Sequence, residues 1–254
     1  MVNDLHDFGF YSIIDKFLKN IRNVMSYLVG KDLFKNFYID FSQKELSVLK
    51  GINVSFEQGK TYAIIGVSGS GKSTLMHLLG GLDYPTSGSV LFDNQDIFKF
   101  TILEKEKFLN TKLGFVFQFH HLIKELNVLE NIILMGLIKG DQRIKCINRA
   151  KDLLKKVGMF EKINSYPTEL SGGQQQRVAI LRAIFNKPSF LLADEPTGDL
   201  DAQNAQGIVD LLINCQKEWG MGLIICTHDK AVYKKMNHVY RLNEGILKLE
   251  NLVQ

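Results

Sequence analysis

Two hydrophobic periods alternate along the chain. Short apolar runs at Leu46–Leu49, Ile52–Phe56, Tyr62–Ile65, Ser89–Phe92, Leu113–Phe117, Phe190–Ala193, Leu223–Cys226 and Val239–Leu242 predict strands, several of them bounded by glycine-rich turns. The stretch from Ser26 to Phe37 predicts an opening strand. Helical spacing takes over after Ser73, from Asn127 to about Gly158, through Val178, Leu181, Ile184 and Phe185, and from Ala202 to Gln216. Asn127 is placed to cap the first helix of its stretch, and Gly158 to stop the second. Strands that alternate with helices predict an α/β fold with a mainly parallel sheet. The all-helical stretch at about 120–170 interrupts that alternation and predicts an inserted subdomain.

The first residues follow a different pattern. Phe10, Ile14, Phe17, Leu18, Ile21, Val24, Met25 and Leu28 recur at helical spacing, with Lys16, Lys19 and Arg22 among them. Residues 1–27 therefore form an N-terminal amphipathic extension to a domain at 28–254. It reads as a helix lying on a membrane surface or partner, as one packed on its own domain, or as a loosely held tail. Met25 is an alternative start.

Composition narrows the class. The chain has 254 residues, 45% of them apolar, enough to bury a substantial core. A net charge of +4 with both signs interspersed is too mild to indicate a nucleic-acid partner. Cys146, Cys215 and Cys226 are widely spaced, which suits a reducing compartment better than a disulfide frame or metal site. The apolar run at Ile132–Ile138 is too short to span a bilayer, and Asp4 and Asp7 precede the first apolar residues, unlike a secretory signal. The expectation is a soluble protein of the cytoplasm.

The clearest chemistry lies in Gly66-Val67-Ser68-Gly69-Ser70-Gly71-Lys72-Ser73-Thr74, set between an apolar strand and an apolar helix. That context makes G-x4-G-K-[ST] a phosphate loop. Glycines let successive N–H groups turn inward around phosphate oxygens, and the helix start adds free N–H groups and the positive end of its dipole. Lys72 would reach the terminal phosphates, and the Ser73 hydroxyl would hold Mg²⁺. Downstream, the strand Phe190–Ala193 ends in Asp194 and Glu195. Asp194 can hold Mg²⁺, and the strand's alternation turns Glu195 towards a second target, the attacking water. Since ligands collect at the carboxyl ends of such strands, this strand is expected to neighbour the phosphate-loop strand. A second glycine turn, Leu170-Ser171-Gly172-Gly173-Gln174, opens a helix capped by Ser171. It is either an ordinary capped turn or a second anion site, and one nucleotide cannot readily use both loops, so a second molecule could supply one.

Leu170–Gln174 resembles the signature sequence of the ATP-binding subunits of ABC transporters. The order of the other motifs resembles that family too: Gln118 its glutamine loop, Asp199-Leu200-Asp201 its aspartate loop and Thr227-His228-Asp229 its switch histidine. The resemblance runs from about residue 28 to the end. It implies a P-loop NTPase cassette with a parallel core, a small antiparallel β part and the helical subdomain. It also implies a head-to-tail homodimer around two ATP molecules, each phosphate loop facing the other subunit's Ser171 and Gly173, with Asp201 reaching across. By the same resemblance Ser73, Gln118 and Asp194 would serve Mg²⁺, Glu195 would be the general base, and His228 would sense the γ-phosphate. Adenine would stack on an aromatic of the first strand, Phe37 or else Tyr38. His77, His120, His121 and His238 show no metal-ligand spacing and read as structural.

Within the family, Gly80–Gly88 and Gly114–Leu122 resemble the ATPase of the bacterial lipoprotein-releasing complex, with Phe119-His120-His121-Leu122 placed where membrane partners dock. Leu181 and Asp199 depart from that branch, which usually has alanine and often asparagine there. The resemblance implies Mg²⁺-dependent ATP hydrolysis at the cytoplasmic side of the inner membrane, coupled to membrane-embedded permease subunits. A related exporter or a cell-division complex is the alternative purpose. A small-molecule kinase would lack Leu170–Gln174, and soluble ABC proteins carry coiled-coil insertions or two cassettes per chain.

Overall fold

The computed structural model describes residues 25–39 and 44–250. The amphipathic extension lies outside the described residues as far as position 24. Two sheets divide the strands between them. Strands β1 (Tyr27–Ile39), β2 (Lys44–Glu57), β4 (Ser87–Phe92) and β5 (Gln95–Asp96) form an antiparallel sheet in the order β2-β1-β4-β5. Strands β3 (Thr61–Ile65), β6 (Leu113–Val116), β7 (Phe190–Asp194), β8 (Gly222–Cys226), β9 (His238–Asn243) and β10 (Ile246–Leu249) form the second, in the order β10-β9-β3-β8-β7-β6. Every pair in that sheet is parallel except β9 with β10.

β3, β7 and β8 are buried at every position, as expected of central strands with both faces covered. One side of the sheet carries Ile64, Leu192 and Ile224 into a core shared with Phe56, Leu75, Met76 and Leu79. The other carries Ala63, Leu191 and Ile225 against Ile180, Ile184 and Leu212. The sheet thus separates two cores, in keeping with the period-two alternation of its strands.

Three points differ from the sequence reading. The runs at Leu46–Leu49 and Ile52–Phe56 form one strand, β2, because Gly51 adopts φ +76° and lets the chain continue through a position that L side chains resist. β7 is not beside the phosphate-loop strand β3. β8 lies between them, its Leu223–Cys226 paired with both, so an intervening strand fills the gap that apolar continuity alone could not reveal. Glu195 does not turn by strand alternation. It stands past the strand at φ +45°, its N–H donating to the Cys226 carbonyl at 3.0 Å.

Helices α1 (Lys72–Leu79) and α2 (Ile102–Thr111) precede β6, and between β6 and β7 run α3 (Val128–Lys139), α4 (Arg143–Lys156), two short 3₁₀ turns (Phe160–Lys162 and Pro167–Glu169) and α5 (Gly172–Ile184). Asn127 caps α3 through a reciprocal pair, accepting from Glu130 N while the Glu130 carboxylate accepts from Asn127 N. Just inside, the fully buried Asn131 accepts from Ile123 N and donates to the carbonyls of Ile123, Leu126 and Asn127. That amide holds the connection between the parallel sheet and the helical segment. None of the helices described is long and apolar enough to cross a membrane.

Candidate active site

The phosphate loop connects β3 to α1 (Lys72–Leu79). Gly71 caps α1 at φ +100°, and a Cβ there would press on Val48 Cγ1 at 2.9 Å, so only glycine fits this entry to the helix. The Lys72 side chain is 8% exposed and folds along the loop, donating to the carbonyls of Gly66 (3.0 Å) and Val67 (3.2 Å). Its Nζ also lies 3.6 Å from Glu195 Oε1. His228 Nδ1 meets the other oxygen of that carboxylate at 3.1 Å, and the imidazole is largely exposed while Glu195 is not. One carboxylate is thereby shared by a buried cation and an exposed imidazole.

These groups open onto a cleft of about 820 Å³. The loop contributes Gly66, Ser68, Gly69, Gly71, Lys72, Ser73 and Thr74 to its wall. Gln118, Glu195, His228 and Phe37 line it as well. Ser70 sits behind the wall, with its Oγ 2.7 Å from where a Gly66 Cβ would stand. Phe37 and Tyr38 separate by pleat parity. Phe37 pairs with Leu46, which also lines the cleft, whereas Tyr38 is 73% exposed and does not line it.

Asp194 ends β7 nearby, 7% exposed, with an Oδ1 atom that is buried and has no hydrogen-bond partner. A buried carboxylate oxygen left unpaired costs stability unless something else meets it. An Mg²⁺ ion suits that oxygen, since it prefers oxygen donors and takes one or two carboxylates together with substrate phosphates. The Ser73 hydroxyl and Gln118 amide oxygen are donors of the required type on the cleft wall. Among the described residues no group of three or more His, Cys, Asp or Glu is placed to hold a metal ion.

Ser171, Gly173 and Asp201 do not reach this cleft. Ser171 caps α5, with its Oγ accepting from Gln174 N and Gln174 Oε1 accepting from Ser171 N. Gly173 packs on Asn204, whose backbone and side-chain N–H groups donate to the two Asp201 oxygens at 2.9 and 2.6 Å. Those bonds, the backbone one first, hold the Asp201 carboxyl below its ordinary value. The three residues form a second polar cluster, separate from the first.

Residues 49–198 match the family model described as ABC transporter. The chain belongs to the ABC transporter family. A relative from Blochmanniella floridana, the lipoprotein-releasing system ATP-binding protein LolD, is 41% identical over 92% of this chain and 99% of its own length. LolD proteins from Syntrophus aciditrophicus and Buchnera aphidicola are 43% and 45% identical, each over 85% of this chain, and 96% and 93% of their own lengths are covered. Among solved structures, a dimeric ATP-binding cassette bound to ADP and Pi superposes with a TM-score of 0.82 at 35% identity, over 89% of this chain and 99% of that one. The cassette fold expected from the motif order is therefore the one found.

Several residues at and around the cleft carry no distinct signal in the sequence. Leu46 and Val48 line the cleft, and a β-bulge at Val48 sets Leu46 opposite Phe37. Gly198 lines it too, close to the Gln118 amide. On α5, Gln176 donates to the Pro196 carbonyl at 2.8 Å, and Arg182 donates to the carbonyls of His121 (2.8 Å) and His120 (3.1 Å), fastening the segments that carry Glu195 and Gln118. Their only sequence signal was a run of polar residues on an otherwise apolar helix. His120 is half-buried, and burial lowers its pKa.

Proposed function

We propose that this chain is the Mg²⁺-dependent ATP-hydrolysing subunit of a complex that releases lipoproteins from the bacterial inner membrane. The observation that carries the purpose is the 40–45% identity to LolD proteins across most of the chain. The chemistry rests on the cleft. Lys72 and the loop N–H groups bind the β- and γ-phosphates, and Phe37 carries the adenine. Ser73, Asp194 and Gln118 hold Mg²⁺, which when bound neutralises charge on the transferring phosphoryl group. Glu195 accepts a proton from water as its oxygen attacks the γ-phosphorus and the bond to the β-phosphate oxygen breaks, leaving ADP and Pi. His228 donates its N–H to the γ-phosphate. The low exposure of Glu195 strengthens its interactions, because solvent screens them less.

The separation of Ser171, Gly173 and Asp201 from the cleft supports a head-to-tail homodimer in which each subunit completes the other's site. Closure on ATP drives membrane-embedded permease subunits, with the ATPase peripheral on the cytoplasmic side. The test is affinity isolation of the Glu195→Gln variant from solubilised membranes with ATP, followed by mass spectrometry. Two membrane subunits with large periplasmic domains, together with outer-membrane lipoproteins, are expected. A cell-division membrane protein, or none, would contradict the assignment of purpose and leave the ATPase chemistry intact.

A further inference from the structure

The Phe37 ring is 40% exposed at the cleft wall, near the end of the described part of β1. One contact stands out. The Lys35 Nζ lies 4.9 Å from the centre of the ring. The same ammonium donates to Asp83 Oδ1 at 2.9 Å, pairs with Oδ2 at 2.8 Å, and donates to the Tyr84 carbonyl at 2.8 Å. An ammonium has three N–H donors and no acceptor. Asp83 and Tyr84 take up its hydrogen bonds while the charge stands over the ring. Lys35 is 12% exposed and does not line the cleft, so it approaches the ring from outside the space a nucleotide would fill.

The anchor is itself fixed. Asp83 and Tyr84 belong to the turn after α1, and Thr86 of the same turn donates its N–H to the Phe34 carbonyl while its Oγ1 accepts from Asn36 N, both at 2.9 Å. Strand β1 is thus tied to that turn on both sides of Lys35. A cation held over an aromatic face attracts the ring and restricts its rotation. A ring already oriented loses less freedom when a base stacks on it.

We propose that Lys35 is a positioning residue for nucleotide affinity, holding Phe37 as a pre-oriented platform for adenine from its anchor on Asp83 and Tyr84. This rests on the reading of Phe37 as the adenine platform. Lys35 touches neither the phosphates nor the reacting atoms, so its effect falls on ATP binding and leaves the chemical step alone.

The test uses the full-length chain, with the ATP dissociation constant from calorimetry and KM and kcat from hydrolysis. Lys35→Met raises the dissociation constant and KM about three- to tenfold, with kcat within about twofold. Lys35→Arg restores affinity, because a guanidinium can pair with Asp83 and still lie on the ring. Phe37→Leu raises KM, and adding Lys35→Met in that background changes nothing further. Phe37→Leu with altered KM but Lys35→Met without effect would overturn the inference alone. A Lys35→Met effect equally large without the ring, or one that lowers kcat and melting temperature together, would also overturn it. An unchanged KM in Phe37→Leu would remove the platform reading, and the inference with it.

Discussion

Glu195 and His228 face each other at 3.1 Å, carboxylate oxygen to Nδ1, although one is largely buried and the other 74% exposed. The pair is fixed from the Glu195 side. Its backbone turns through φ +45° and its N–H is held by the Cys226 carbonyl, so the carboxylate leaves the line of β7 and faces both Lys72 and His228. The exposed imidazole makes no other side-chain hydrogen bond among the described residues, so its N–H can pass from the carboxylate to a phosphate oxygen.

His228→Ala should therefore reduce kcat by about two orders of magnitude while changing KM for ATP by less than threefold, within the range for a group that acts on the transferring atoms. Steady-state hydrolysis by the purified chain measures it. A raised KM with normal kcat would make His228 a ground-state binding residue.

Lys72→Ala should weaken ATP binding by about ten- to a hundredfold, the loss expected for charge-assisted hydrogen bonds to phosphate. It should also free Glu195 from its nearest cation. Calorimetric titration with ATP checks the first outcome, and unchanged affinity would remove Lys72 from the phosphate site.

Asn131→Leu should cost about 3 kcal/mol in unfolding free energy. The apolar replacement strands the amide of Ile123 and the carbonyls of Ile123, Leu126 and Asn127, which Asn131 satisfies from a fully buried position. Denaturant unfolding reads the loss. A cost below about 1 kcal/mol would mean that those groups find other partners.

Asp83 adds a pH dependence with a defined sign. Burial raises the pKa of its carboxyl, but hydrogen bonds from the Lys35 ammonium and the Tyr84 amide outweigh burial and leave it below the ordinary 3.8. A carboxylate with a depressed folded pKa stabilises the fold at pH values above its unfolded pKa, and that contribution is lost as pH falls through the folded value. With Asp83 36% exposed, solvent screening keeps the amount under about 1 kcal/mol. The melting-temperature gap between the wild type and Asp83→Asn should be present at pH 7 and close as the pH falls below 3.8. A gap that persists below that range would rule out the ionised pair as its source.

Much of the fold and candidate site could be read locally. The strand, loop and helix around Lys72 lie within about twenty contiguous residues, and their glycine and lysine spacing states the phosphate geometry directly. Asn127 and Ser171 likewise announce their caps three residues ahead. What stayed hidden depends on distant pairing. Nothing in Phe190–Asp194 indicates that Gly222–Cys226 will insert beside it, because both strands are uniformly apolar. The choice between Phe37 and Tyr38 depends on register with β2, which the bulge at Val48 resets. The divergence of Asp194 and Glu195 was legible, but its cause was a left-handed backbone position that no side-chain pattern encodes.

The most direct test of the composite site is the mass of the Glu195→Gln chain by analytical ultracentrifugation, with and without ATP. The account predicts a shift from monomer to dimer on adding ATP, with two nucleotides retained per dimer, and no shift when Ser171→Arg is added. A chain that binds ATP fully yet stays monomeric, or a dimer indifferent to Ser171→Arg, would contradict a site built from one subunit's Lys72 and the other's Ser171.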